Sequence, residues 1–327
     1  MKIFHVYLAA FIGFGCGRTP SVIDKAHDIM YSLNNLHQLA AKVIAYDKKG
    51  MLVKDSILLD TPRIDYGITP EILRYYFKHA MISLCTPAQL KQESCYCEGK
   101  FRDPKLFYNE TLDAQSAVAI DDINKLVVVS YRITVSEMNW QTNYKSNLVS
   151  HPSIDGPSKV HEGHLEYVIS LQPMMEPTVV EMLKRYPNHK LHITGYSLGA
   201  SLAIIALPFF TELLKANQLA NKVQVFSYAG SRPGNFDFAK YVETLGAPIA
   251  RYAQKGDVVS HVSDQALGYS QAGLEFYDST IPFLKKSFVK CSLYVIEDMD
   301  CSMKDRHFYV PIHVSPFQQP IPSAPYC

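Results

Sequence analysis

Apolar and polar positions fall in blocks along this chain, and the blocks set out its elements. Ile3 to Phe14 is apolar except at His5 and Gly13, follows the basic start Met1-Lys2, and gives way to Gly15-Cys16-Gly17 before Arg18. A charged start, about 7–15 apolar residues and a small-residue exit have the form of a secretory leader, too short for the roughly 20 helical residues that span a bilayer. Residues 1–17 are expected to be that leader, which makes the protein secreted and extracellular with no transmembrane anchor. Residues 18–67 read as an N-terminal extension or pro-segment, with a helical pattern from Ile23 to Ile44. Thr69-Pro70-Glu71 then predicts a helix start: a capping hydroxyl, proline in the first turn, and an acid beside the positive helix end. That helix runs over Ile72 to Cys85.

Downstream the period changes. Ala117 to Ile120 and Lys125 to Tyr131 are β-rich, and Leu126-Val127-Val128-Val129 is continuously apolar, as a strand covered on both faces would be. Strand-like runs recur at Lys190 to Thr194, Lys222 to Tyr228 and Pro248 to Tyr252. Helical stretches at Tyr167 to Tyr186, Ser197 to Leu219 and Phe236 to Leu245 intervene, and Gln141 to Gly163 is polar enough to be a loop. Strands alternating with helices predict a mostly parallel central sheet flanked by helices.

Composition narrows the partners. With 32 Lys+Arg against 31 Asp+Glu in 327 residues, no net field draws the chain to nucleic acid or anionic lipid. Of seven cysteines, Cys16 lies in the leader and six lie beyond it: Cys85, Cys95, Cys97, Cys291, Cys301 and Cys327. An even set behind a leader predicts disulfides. Cys291 and Cys301 flank a short apolar segment and suit a hairpin bridge, whereas Cys95 and Cys97 are awkwardly close for a mutual one. No CxxC or paired-histidine spacing offers zinc a site, so no metal or other cofactor is expected. Asn109-Glu110-Thr111 is a sequon for glycosylation in a eukaryotic secretory pathway.

The chemistry concentrates in Thr194-Gly195-Tyr196-Ser197-Leu198-Gly199-Ala200. A GxSxG between a strand and a small-residue-rich helix forms a nucleophile elbow, in which Ser197 tops a sharp turn and the glycines leave room where strand and helix nearly touch. The helix amides after the serine face any negative charge that develops there. Such a serine needs a base, and the base an orienting acid, in the chain order Ser, acid, His. Asp257 follows the strand Pro248 to Tyr252, with Asp264 as its nearest competitor; His307 and His313 are the histidines well downstream, and His307 is the expected base.

From Ile68 to Cys327 the chain resembles the class 3 lipases, the fungal-type triacylglycerol lipases and their feruloyl esterase relatives. The elbow in its Thr-Gly-x-Ser-Leu-Gly form, Tyr228-Ala229-Gly230-Ser231-Arg232-Pro233-Gly234-Asn235, and Gly256-Asp257-Val258-Val259-Ser260-His261 carry the resemblance. So does Asp305-Arg306-His307-Phe308-Tyr309, similar to the family's Asp-His-x-x-Tyr with one residue inserted. The resemblance implies an α/β-hydrolase domain over residues 68–327 and a catalytic Ser197, Asp257 and His307. It further implies an oxyanion hole from Thr134 and Leu198, and a lid helix carrying Val135, Met138 and Trp140. Its cysteine pattern suggests Cys85–Cys327 and Cys291–Cys301, leaving Cys95 and Cys97 as a third pair.

Departures bear on substrate: Ile133 replaces a glycine beside the oxyanion residue, Tyr196 replaces a histidine before the nucleophile, and Glu137 makes the lid less apolar. The expected activity is hydrolysis of lipid esters, triacylglycerol first, at a lipid–water interface. Feruloyl or short-chain esters, or a phospholipase A1 reaction, are the alternatives on the same fold, and a non-catalytic secreted binding protein is the reading from another class.

Overall fold

The computed structural model describes residues 22–48, 56–85, 101–280, 287–305, 307–314 and 316–318. The leader, Cys95, Cys97 and Cys327 lie outside them. Eight strands form one sheet: β1 (Phe101–Asn109), β2 (Ala114–Asp121), β3 (Leu126–Tyr131), β4 (Lys190–Tyr196), β5 (Val223–Tyr228), β6 (Ile249–Gln254), β7 (Leu274–Asp278) and β8 (Phe288–Lys290). They lie in sequence order, with β3 through β7 parallel and the pairs β1–β2, β2–β3 and β7–β8 antiparallel. This is the α/β-hydrolase architecture, a mainly parallel sheet flanked by helices.

The continuous apolar runs are explained by cover on both faces. Val127, Val129, Leu191, Ile193 and Val225 pack into a core shared with three helices, α4 (Glu162–Arg185), α5 (Leu198–Ala216) and α6 (Phe236–Thr244). The alternate positions face the other way. Leu126 and Val128 meet Ile82, and Tyr196, Phe226 and Tyr228 meet Leu73 and Ala80 of α2 (Pro70–Met81). Helix α2 begins at Pro70 with Thr69 accepting from the Ile72 amide, as its capping sequence requires. Helix α5 is long and apolar enough to cross a membrane, yet it is mostly buried in the fold as a core helix.

One region differs from expectation. Gln141 to Gly163 is not all loop: α3 (Glu137–Tyr144) extends into it, Leu148–Ser150 pairs antiparallel with Lys159–His161, and α4 starts at Glu162. The earlier start follows from His161, whose ring caps the helix by accepting from the His164 amide. In the N-terminal region the expected helical stretch, Ile23 to Ile44, lies within α1 (Val22–Lys48), which runs 27 residues. Ile57–Leu58 pairs with Val295–Glu297, and the Arg63 guanidinium bonds to Glu243, so this stretch is stitched to the C-terminal part of the chain. Cys291 and Cys301 form a disulfide across the segment they flank.

Candidate active site

Ser197 sits between the end of β4 and the start of α5 at φ 56° and ψ −120°, a conformation that costs a non-glycine residue of order 1–3 kcal/mol. Its amide donates to the Tyr228 carbonyl, which pins the turn to β5. The flanking glycines are steric necessities: a methyl on Gly195 would strike the Gly199 backbone, and one on Gly199 would strike the Tyr131 carbonyl. The serine therefore stands at the carboxyl edge of the sheet, where ligands of open α/β sheets bind.

The imidazole that meets it belongs to His313. Its Nε2 is 2.8 Å from Ser197 Oγ, and its Nδ1 lies 2.9 Å and 3.0 Å from the two oxygens of a buried Asp257. His307, the expected base, is exposed, on the strip of chain beside Gly256. The reason is local. Asp305 anchors that strip by accepting from the Gly256 amide and the Tyr277 hydroxyl, and the Tyr309 amide adds a bond to the Gly256 carbonyl. The chain then coils through the 3₁₀ turn Val310–Val314, which carries His313 inward. The sequence held a signal for this: His313 lies in the apolar context Val310-Pro311-Ile312-His313-Val314, whereas His307 follows Asp305-Arg306. Asp257, not its competitor Asp264, is the acid that reaches the ring.

Residues 128–266 match the family model for lipase (class 3). The lipase of Rhizomucor miehei is 30% identical over 192 residues, covering 58% of this chain and 51% of its own. That of Rhizopus niveus is 30% identical over 216 residues, covering 65% and 53%. The chain thus spans about half the length of these curated relatives. A solved structure, described as a triacylglycerol lipase whose catalytic centre is a serine protease triad, superposes with a TM-score of 0.68 at 26% identity, covering 80% of this chain and 98% of that one. Over residues 128–266, which hold Ser197 and Asp257, the chain is similar to the class 3 lipases.

Within this α/β-hydrolase fold a cavity of about 90 Å³ adjoins Ser197 and His313. Thr134 and Leu198 both line it, and Leu198 is the first residue of α5, where helix amides have no intrahelical acceptor. Asn143 Nδ2 donates to Thr134 Oγ1, which leaves the threonine hydroxyl hydrogen to point elsewhere. Of the three expected lid residues, Val135 is half-buried against the α2-side core, Trp140 is 5% exposed and Met138 is 40% exposed on the outer face of α3. Asn109 stands at the end of β1, its side-chain oxygen accepting from the Thr111 and Leu112 amides. Cys85 is buried.

The roof of the cavity is a feature the sequence did not disclose. Ser32, Leu36 and Leu39 of α1 line it directly. Leu36, Ala40 and Val43 share an apolar cluster with Trp140, Val258, Val259 and Val310. The Trp140 indole donates to Ser32 Oγ at 3.0 Å, and the Tyr144 hydroxyl donates to Asn35 Oδ1 at 2.6 Å, so both aromatics of α3 are held by α1. Pockets that enclose drug-sized ligands run to about 300–1,000 Å³, several times what this roof leaves open.

Proposed function

We propose that this chain is a secreted serine ester hydrolase that cleaves lipid esters of the acylglycerol type, using Ser197 as nucleophile, His313 as base and Asp257 as the orienting acid. One observation carries the reading: a single imidazole within hydrogen-bonding distance of both the strained serine and a buried carboxylate. In the proposed reaction His313 Nε2 accepts the Ser197 proton as Oγ attacks the ester carbonyl. Asp257 holds the ring through Nδ1 and stabilises the imidazolium. The Leu198 amide and the amide and hydroxyl of Thr134 receive the oxyanion, with Asn143 orienting that hydroxyl. His313 then returns the proton to the leaving alcohol, and water repeats the sequence to release the acid.

Among the described residues, those lining the cavity include no Asp, Glu, Lys or Arg. An uncharged cleft supports a neutral acylglycerol over a phospholipid, whose phosphodiester would want a cationic partner. For any lipid to enter, α1 must leave its place over the cleft, and we assign residues 18–67 the role of a pro-segment.

Ser197→Ala and His313→Ala are expected to lower turnover of a nitrophenyl ester by about 10⁴-fold or more, and both should block labelling by a fluorophosphonate. His307→Ala should remain close to wild type. A His313→Ala enzyme that still turns over, beside an inactive His307→Ala, would overturn the assignment.

A further inference from the structure

The roofed cleft is apolar along most of its wall but carries an unusual polar end. His161 and His164, one turn apart at the start of α4, stack face to face with ring centroids 3.7 Å apart and planes 13° from parallel. Both are buried and both line the cavity beside Thr134 and Ser197. His161 is committed: its Nδ1 accepts from the His164 amide. His164 is not. Its Nδ1 has no hydrogen-bond partner among the described residues, and neither has the Asn143 side-chain oxygen on the same cavity wall. Polar atoms buried in this way are ordinarily paired, because leaving them unmade forfeits the hydrogen bonds they had in water.

We propose that His164 and Asn143 form a subsite for a free hydroxyl of the substrate, so that the preferred esters carry an unesterified hydroxyl near the scissile bond. The proposal rests on the hydrolase reading above and names its substrate more closely. The chemistry of the pair selects the ligand. Burial drives the His164 imidazole well below its ordinary pKa, so it is neutral at physiological pH, and no charged side chain lines the cleft among the described residues. A carboxylate, phosphate or ammonium would find no counter-charge there. A hydroxyl both donates and accepts, so it satisfies an imidazole nitrogen in either tautomer and also the carboxamide oxygen that Asn143 keeps free while its Nδ2 donates to Thr134. An alkyl group in the same place leaves both atoms unpaired, which is the situation in which enzymes discriminate strongly between substrates.

The hydroxyl could belong to the alcohol or to the acyl part, and two matched pairs of soluble esters separate the sources. On the alcohol side, glycerol monobutyrate is compared with propyl butyrate; on the acyl side, propyl 3-hydroxybutyrate is compared with propyl butyrate. The wild-type full-length chain is expected to favour the hydroxylated member of one pair by about tenfold or more in kcat/KM. His164→Phe, which keeps a flat ring and removes the nitrogens, should bring that ratio close to one. His164→Gln, which restores a donor and an acceptor, should recover part of it. A wild-type ratio near one in both pairs overturns the proposal whether or not any variant folds, and so does a ratio that survives His164→Phe. Labelling of wild-type Ser197 by a small fluorophosphonate separates the two levels. Labelling without a hydroxyl preference sinks only the subsite; absence of both labelling and turnover, in the wild type and also in Leu36→Glu, whose charge dislodges α1 from the cleft, sinks the hydrolase reading and the subsite with it.

Discussion

Tyr196, the residue immediately before the strained serine, touches the His313 imidazole region from two directions. Its ring stacks on the imidazole at 5.3 Å between centroids and 25° between planes, and its hydroxyl donates to the His313 carbonyl. Phe77 closes on the tyrosine edge-to-face, and burial followed by the nearby Asp257 charge pushes its phenol well above the ordinary pKa, so it stays a neutral donor. The proposed base, His313, arrives on a short 3₁₀ turn, and Tyr196 ties that turn to the strand that ends at Ser197. Tyr196→Phe keeps the stack and removes the tether. It is expected to lower kcat for a soluble ester about five- to tenfold with little change in KM, as measured by steady-state kinetics. Much at this scale was legible beforehand. The GxSxG spacing and the acid after the next strand marked Ser197 and Asp257, because both follow from how a chain must turn at a sheet edge. His313 was not marked, because the likeness of Asp305-Arg306-His307 to a known ending outweighed the apolar neighbours that signal an inward side chain.

Among the elements, α1 has the largest consequence. It covers the cleft with Leu36 and Leu39 and grips α3 through Ser32 and Asn35, so the two helices form one cap. Full burial of a side chain such as Leu36 contributes about 1.5–3 kcal/mol, so a few such contacts and two hydrogen bonds hold the cap with modest strength. Leu36→Glu places a carboxylate against Trp140 and Val259, at a cost that should exceed that grip. Turnover of a soluble ester is expected to rise several-fold. Because Trp140 is the sole tryptophan, its emission should shift to the red in the same variant. Unchanged turnover with unchanged emission would show that α1 is no barrier. The helical period of residues 23–44 was readable in the sequence; its docking partner was not, since the contact joins Leu36 to residues 140, 258 and 310 and no local pattern encodes it.

Across the whole molecule, the segment bearing His313 is fastened by buried charge. Arg232 makes a two-pronged pair with Glu297, and Arg251 pairs with Glu275, whose other oxygen accepts from the Ser302 amide. The fold also buries His79, His151, His161, His164, His192 and His261, each pushed below its ordinary pKa first by desolvation, with His151, His161 and His261 brought to about 4. Between about pH 6.5 and 4 the unfolded chain therefore binds protons that the folded chain refuses, and stability must fall with pH through that window. The depressed carboxyl of Glu297 acts in the same direction lower down: its stabilisation is present above its ordinary pKa and is lost as pH falls through the depressed value. Thermal unfolding followed by circular dichroism should give a clearly lower Tm at pH 5 than at pH 7, and a flat profile would contradict this account. One contact sets limits on how such a molecule can breathe. With the Tyr131 carbonyl seated where a side chain of residue 199 would be, the strand leading to Thr134 and the helix behind Ser197 are keyed together like tongue and groove. That floor has no slack to yield, so whatever admits a guest must happen overhead.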